Sequence, residues 1–196
     1  MSRGPETEVK LAVRDLPAIR RRLRQLGFQA LQARHFETND LFDSEDLRLW
    51  KARCLLRLRR ARGEWLLTFK GAPAASRHYK IRHEVETQVE DGARLREIFA
   101  VLGLRPVFRY EKYRTTYVEG ALADKAGAPF LVFDETPIGN YLELEGPRRW
   151  IDRAAKRLGY SRDDYITASY GALYREYCRR EGVPPTNMVF SHPKTC

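Results

Sequence analysis

The sequence lacks most of what a membrane, secreted or redox protein needs. It has three cysteines in 196 residues, Cys54, Cys178 and Cys196, an odd number set far apart. That spacing excludes a CxxC metal site and a disulfide framework, and a reducing cytoplasm is the expected compartment. No apolar run approaches the ~20 residues needed to cross a bilayer. The opening residues, Met1 to Glu6, lack the apolar stretch of a signal peptide. There is no P-loop, no GxGxxG after a strand, no HExxH and no GxSxG. His35, His78, His83 and His192 show no ligand spacing. The chain is also short of acid. Lys and Arg total 36 against 26 for Asp and Glu, a net charge of +10. That excess suits an acidic partner, whether nucleic acid, an anionic membrane or a polyanionic small molecule, without choosing among them.

What is present reads as one domain over 1–180 followed by a mobile tail over 181–196. A hydrophobic content of 43% supports a packed core. Residues 5–13 alternate polar and apolar, as a strand does. Asp15 is placed to cap a helix with Pro17 in its first turn and Gly27 as its stop. A short strand is expected near His35–Asp40, with a loop after it. Strands are expected at 54–60, 64–70, 79–89, 107–118, 130–135 and 140–145. Helices are expected at 92–102, 147–158 and 167–181, and Ser161 reads as a cap. The motif Glu-x-Glu occurs three times, at Glu6 and Glu8, at Glu84 and Glu86, and at Glu143 and Glu145. Each leads on to a helix that ends Leu-Gly.

Alternate strand side chains share a face. On that count each strand has an apolar face and a charged one. The charged faces together carry eight cations (Lys10, Arg57, Arg59, Lys70, Lys80, Arg82, Lys112 and Arg114) and seven carboxylates (Glu6, Glu8, Glu84, Glu86, Asp134, Glu143 and Glu145). An antiparallel sheet with one face in water alternates in the same way. Three features point elsewhere. The face is mostly charged, half of its cations are Arg, and carboxylates pair at i, i+2 on three strands, which is repulsive unless a cation is shared. Closing the sheet with this face inward makes a polar channel. Such a channel can hold a polyanion on Arg and Lys while carboxylates bind Mg²⁺ or Mn²⁺.

At these residues the sequence resembles the CYTH domain of the triphosphate tunnel metalloenzymes. Glu6-Thr7-Glu8-Val9-Lys10 resembles the ExExK signature. Leu56 to Arg59 is similar to the LRxR strand, and Leu67 to Gly71 to the LTxKG strand. Arg82 to Glu86 resembles RxExE, and Lys112 to Arg114 resembles KxR. Asp134 and the Gly139–Glu145 stretch resemble the late acidic strands, and Ser169-Tyr170 with Leu173 the SYxxL helix. The likeness spans about 5–178. One departure is Ile138 before Gly139, where many members have Leu.

The resemblance implies an α+β fold, an eight-stranded antiparallel barrel with a charged interior and flanking helices. It implies that Lys10, Arg57, Arg59, Lys70, Arg82, Lys112 and Arg114 contact phosphate. It implies that Glu6, Glu8, Glu84, Glu86, Asp134, Glu143 and Glu145 hold one or two Mg²⁺ or Mn²⁺ ions. Glu6, Glu8, Lys10 and Lys70 are then the expected catalytic residues. Lys80 lies in phase but outside the motif. The expected activity is metal-dependent hydrolysis of a triphosphate: tripolyphosphate, thiamine triphosphate or a nucleoside triphosphate. The alternative is a class IV adenylate cyclase that makes cyclic AMP and pyrophosphate from ATP. A third reading is a non-enzymatic binder of polyphosphate or nucleic acid, resting on Arg20, Arg21, Arg22 and Arg24. That run reads first as a solvated helix face, so nucleic acid is not the expected partner. A monomer or homodimer is expected, with no membrane partner. Trp50, Trp65, Phe108 and Tyr110 are read as core rather than as a base pocket. Cys54 is read as a buried strand residue.

Overall fold

The computed structural model describes residues 5–123 and 125–191. Nine strands form one antiparallel sheet. They are β1 (Glu6–Val13), β2 (Phe28–Ser44), β3 (Leu55–Ala61), β4 (Glu64–Lys70), β5 (Lys80–Arg82), β6 (Glu84–Val89), β7 (Leu104–Glu119), β8 (Phe130–Thr136) and β9 (Gly139–Glu145). The order across the sheet is β5-β1-β9-β8-β7-β2-β3-β4-β6. The two outer members, β5 and β6, follow each other in the chain and meet at His83. The sheet is thus a nearly closed barrel, eight-stranded if that interrupted pair is counted once.

The expected single strand at 79–89 is split for a backbone reason. The His83 carbonyl accepts from Gly71 N–H at 2.9 Å, and the Ile81 carbonyl from Ala74 N–H at 2.8 Å. The 71–74 loop therefore occupies the ladder positions beside β5. A larger correction concerns β2. It runs 17 residues, not the short strand expected near 35–40, and it has irregular register near Ala30, Gln32 and Leu41. Those irregularities spoil the alternation that sequence reading relies on. Pairing with β7 along its length holds it together.

Five helices cover the barrel: α1 (Leu16–Gln25), α2 (Arg48–Lys51), α3 (Gly92–Val101), α4 (Arg148–Leu158) and α5 (Tyr170–Glu181). Asp15 caps α1 through Ala18 N–H at 2.9 Å. Ser161 forms a capping box with Asp164. Gly27, Gly103 and Gly159, the three Leu-Gly stops, all have positive φ. Gly92 is required for another reason, because a Cβ there would sit 2.2 Å from the Trp65 ring.

The outer face of β1, β9 and β8 carries Val9, Leu11, Leu131, Phe133, Leu142 and Leu144. They pack under Ile19 and Leu23 of α1 and Ile151, Ala154, Ala155 and Leu158 of α4. Burying each large aliphatic side chain contributes about 1.5–3 kcal/mol, so this layer anchors the wall from which β1 and β9 project their charges.

The segment after α5 is held further than expected. β8 stops pairing with β7 at Tyr113, which leaves the 109–111 edge of β7 free. Met188 fills it, donating to Arg109 O and accepting from Glu111 N–H, both at 2.9 Å, with its side chain fully buried. Phe190 N–H donates to the Glu111 carboxylate at 3.0 Å. The stretch expected to be mobile from 181 is thus docked as far as Phe190. His192 and Cys196 lie outside the described residues.

Candidate active site

The barrel interior collects the charged faces. β1 supplies Glu6, Glu8 and Lys10, and β9 supplies Glu143 and Glu145. Their register sets Glu8 opposite Glu145 and Lys10 opposite Glu143. Lys10 Nζ lies 3.0 Å from Glu143 and 3.5 Å from Glu8. Lys80 of β5 donates to Glu8 at 2.7 Å. On β3, Arg57 donates to Thr68 at 3.0 Å and stands 3.6 Å from Glu86. Lys70 of β4 pairs with Glu84 and lies 3.8 Å from Glu6. On β7, Lys112 donates to Asp134 at 2.8 Å. Arg114 bridges Asp134 and Glu143, reaching Glu143 at 2.7 Å.

The structure adds residues that sequence reading missed. Glu37 of β2 is buried 3.6 Å from both Arg59 and Lys112. It is an eighth carboxyl group, so the wall carries eight carboxyl and eight basic side chains. Asn39 accepts from Arg59 at 3.1 Å. Tyr170, the first residue of α5, donates to Asp134 at 2.7 Å. Its ring lies 5.2 Å from both Lys10 Nζ and Lys112 Nζ. Tyr110 accepts from Arg57 at 3.4 Å and packs its ring 5.8 Å from that of Tyr170. Glu37 and Asn39 lie within the short strand expected near His35–Asp40, but no motif there singles them out.

Of the expected carboxylates, Glu6, Glu8, Glu84 and Glu145 act on one another electrostatically. Asp134 stands apart, saturated by Lys112, Arg114 and Tyr170. Glu86 is at the rim, its side chain 41% exposed. Among the described residues no three acidic, His or Cys side chains form a ready-made metal cluster. Most of these carboxylates lean instead on a nearby cation.

Proton affinities divide the wall. Burial, a hydrogen bond with Glu84 and the Glu145 charge push Glu6 up to about 9. Burial and the Glu8 charge push Glu145 up to about 7. Burial also works against Glu8, Glu37 and Glu143, but neighbouring cations outweigh it and hold all three low. Burial and the Lys10 charge bring Lys80 down to about 8.

Among the described residues, the buried side-chain nitrogens without a hydrogen-bond partner are Asn39 Nδ2, Arg57 Nε, Arg82 Nε and Trp150 Nε1. The first three belong to the barrel wall. All three are donors, and an unpaired buried donor is costly unless an acceptor reaches it.

A cleft of about 1080 Å³ adjoins the wall at Lys80 and Arg82, between α2, the 73–76 loop and the start of α5. Leu47, Leu49, Leu55, Val107 and Phe108 line it. Trp50, read from sequence as core, stands 63% exposed in this cleft. Trp65 does pack in the core under α3, and Tyr110 is buried. Cys54 is half-buried at the cleft, just before β3 rather than within it. Among the described residues no helix is long and apolar enough to cross a membrane.

Comparison with known proteins bears on the fold and the family. A Methanocaldococcus jannaschii protein named "Putative adenylate cyclase" is 28% identical over 169 residues, covering 84% of this chain and 95% of its own. A solved Pyrococcus horikoshii protein superposes with a TM-score of 0.72 at 22% identity, over 88% of this chain and 99% of its own. A Hippeastrum protein described as a "putative adenylyl cyclase" with a dominant triphosphatase activity superposes at 0.60 with 17% identity, over 92% and 97%. These two structures share the fold. The CYTH domain itself matches residues 4–170. Members of that group are adenylate cyclases or triphosphatases that generally depend on a divalent metal. The chain belongs to the CYTH domain family.

Proposed function

We propose that the protein is a divalent-metal-dependent triphosphatase that hydrolyses an organic triphosphate held in the barrel. The observation that carries this reading is the set of unpartnered donors, Asn39 Nδ2, Arg57 Nε and Arg82 Nε, on a wall otherwise balanced in charge. A triphosphate supplies acceptor oxygens for them. Lys10, Arg57, Arg59, Lys70, Arg82, Lys112 and Arg114 exchange carboxylate partners for phosphate oxygens as it enters. Asn39 and Lys80 join them. These cations neutralise the chain and the charge that grows on the leaving diphosphate.

Glu6, Glu8, Glu84 and Glu145 fit a hard divalent ion. Their oxygens suit Mg²⁺ or Mn²⁺, and Glu6 and Glu145 bind protons more tightly than ordinary carboxyls, a sign of negative charge in want of a cation. A divalent ion held by these carboxylates would supply positive charge for the phosphates and a more acidic water. Glu86 guards the rim. Asp134 and Glu143 keep Lys10, Lys112 and Arg114 aligned, and Tyr170 orients Asp134 from the end of α5. Of the expected metal ligands, these two thus serve in this reading to position cations.

The cleft lined by Trp50 favours an organic substituent over bare tripolyphosphate. Its walls are largely apolar, and the one carboxylate and one of the hydroxyls that line it are committed. Asp43 accepts from Leu49 and Trp50 N–H at 2.9 and 2.8 Å, and Ser76 accepts from Tyr79 N–H at 3.2 Å. With Asp43 occupied, no free carboxylate lines the cleft to take the proton of a ribose 3′-hydroxyl, so hydrolysis is the better supported reaction. The second reading is the cyclase, favoured by the size of the same cleft. Incubation with ATP, thiamine triphosphate and tripolyphosphate, with Mg²⁺ or Mn²⁺, separates the two. Release of phosphate and a diphosphate is the expected result. Cyclic AMP and pyrophosphate as the main products from ATP would replace it with the cyclase.

A further inference from the structure

The net charge of +10 does not arise in the barrel, where the two signs balance. Much of it lies on α1 and α4, which pack side by side on the outer face of β1, β9 and β8. Arg22 Nε donates to the Arg157 carbonyl at 2.8 Å, and Arg157 reaches back to the Leu26 carbonyl at 3.1 Å. This joins the C-terminal ends of the two helices. Because α1 buries Ile19 and Leu23, Arg21 and Arg24 point outward. Because α4 buries Trp150, Ile151, Ala154, Ala155 and Leu158, Arg149, Arg153 and Lys156 point outward as well. Among the described residues none of these five makes an ion pair.

Asp152, the acidic residue of α4, is turned aside. It accepts from Tyr79 at 2.6 Å and Tyr165 at 3.0 Å, and it pairs with Arg162. Taken alone, the Arg20–Arg24 run reads as a solvated helix. A second basic helix, nearly 130 residues further along the chain, makes it half of a two-row cationic face.

We infer that this face binds the phosphodiester backbone of duplex nucleic acid. Four of its five outward cations are Arg, whose fork grips phosphate oxygens in pairs. It has no outward aromatic side chain on which bases could stack, as single-strand binders need. Nor does it have an outward apolar side chain to enter a bilayer, as interfacial helices do. Backbone contacts of this kind carry no sequence information, so binding is sequence-independent.

The test is fluorescence anisotropy of a labelled 20-base-pair DNA duplex with the full chain, across a salt titration. Five phosphate contacts give a slope of log affinity on log salt of about −4.5. The triple variant R149E/R153E/K156E should flatten that slope by about 3 and weaken binding at least tenfold. Its unchanged melting temperature and triphosphate turnover would show that the fold is intact. R21E/R24E should weaken binding by a lesser factor. Lys70→Ala, inside the barrel, should leave duplex binding as it was. Unaltered binding in the triple variant overturns the inference, as does equal loss in Lys70→Ala, which would put the duplex at the barrel mouth. Capture of long-chain inorganic polyphosphate or of phosphatidylserine vesicles, with no capture of the duplex, overturns it too.

Discussion

Two parts of the same wall treat negative charge in opposite ways. Around Glu6, Glu84 and Glu145, carboxyls crowd one another and two of them hold protons, one up to about 9 and the other near 7. Around Asp134, Glu143 and Glu37, cations are plentiful. Lys112 and Arg114 converge on Asp134, and Lys10 and Arg114 on Glu143. The first region has Lys70 as its main cation for three carboxyls, and the second is saturated with positive charge. In the proposed function a metal ion relieves the first, and the second is a frame for the cations that would meet phosphate. The sequence pattern is the same in both, a charged residue at alternate positions, so the difference comes from barrel closure alone.

Removing the frame should have the largest effect. Asp134→Ala leaves Lys112 buried with only the more distant Glu37 and takes one of the two carboxylates from Arg114. Breaking a buried pair from one side costs about 3–5 kcal/mol, read as a lower urea midpoint. A variant as stable as the parent would mean that Asp134 frames nothing.

Adding a cation should repair the crowded region, and pH shows how. Glu6 has a raised folded value, so its contribution to stability is complete below 4.5 and is lost as pH rises towards about 9. Glu145 loses its contribution between 4.5 and about 7. Glu8, Glu37 and Glu143 are held low, so theirs is present above 4.5 and disappears on acidification. Without metal, stability should therefore fall on both sides. Mg²⁺ at a hundred times its Kd adds about 2.7 kcal/mol, and it should do so at pH 8 far more than at pH 5, where protons already fill the site. An equal rise in Tm at both pH values would place the ion elsewhere.

Paired substitutions on β1 sharpen the same contrast. Glu8 holds Lys80 at 2.7 Å and Lys10 at 3.5 Å. Glu8→Gln should therefore cost about 1.5–3 kcal/mol, the range of a hydrogen bond to a charged group. Glu6 already carries a proton near neutral pH, so Glu6→Gln should leave urea stability almost unchanged. Its turnover should drop beyond the roughly 10–100-fold typical of outer metal-shell changes. A Glu6→Gln protein with full kcat would remove Glu6 from the metal set.

Much of this was legible in the chain, for identifiable reasons. β1, β3, β4 and β9 alternate cleanly, and their charged phases predicted which side chains turn inward. The Leu-Gly stops and Asp15 marked helix ends because their chemistry is local. What stayed hidden depends on partners far along the chain. Glu37 and Asn39 sit on the irregular strand β2. Asp40 is buried on its outer face only because Arg96 and Arg109 come to it from α3 and β7. The pairing of α1 with α4 into one basic face is tertiary in the same way. Tyr170 was read within a helix motif, but no local pattern says that its hydroxyl enters the barrel.

The smallest expected effect lies at that hydroxyl. Tyr170→Phe keeps the ring against Tyr110, Tyr141, Lys10 and Lys112. It removes only the 2.7 Å hydrogen bond to Asp134. Asp134 keeps two cationic partners, so stability should fall by about 1 kcal/mol. The kinetic pattern carries more information. If Tyr170 acts by aligning Asp134, and through it Lys112 and Arg114, the loss falls on kcat, because those cations matter most as charge develops on the leaving group. If α5 is only a plug at the end of the barrel, KM and kcat stay where they were. A fall in kcat at constant KM therefore ties the C-terminal helix to the saturated side of the wall, and unchanged kinetics would confine that side to holding the barrel together.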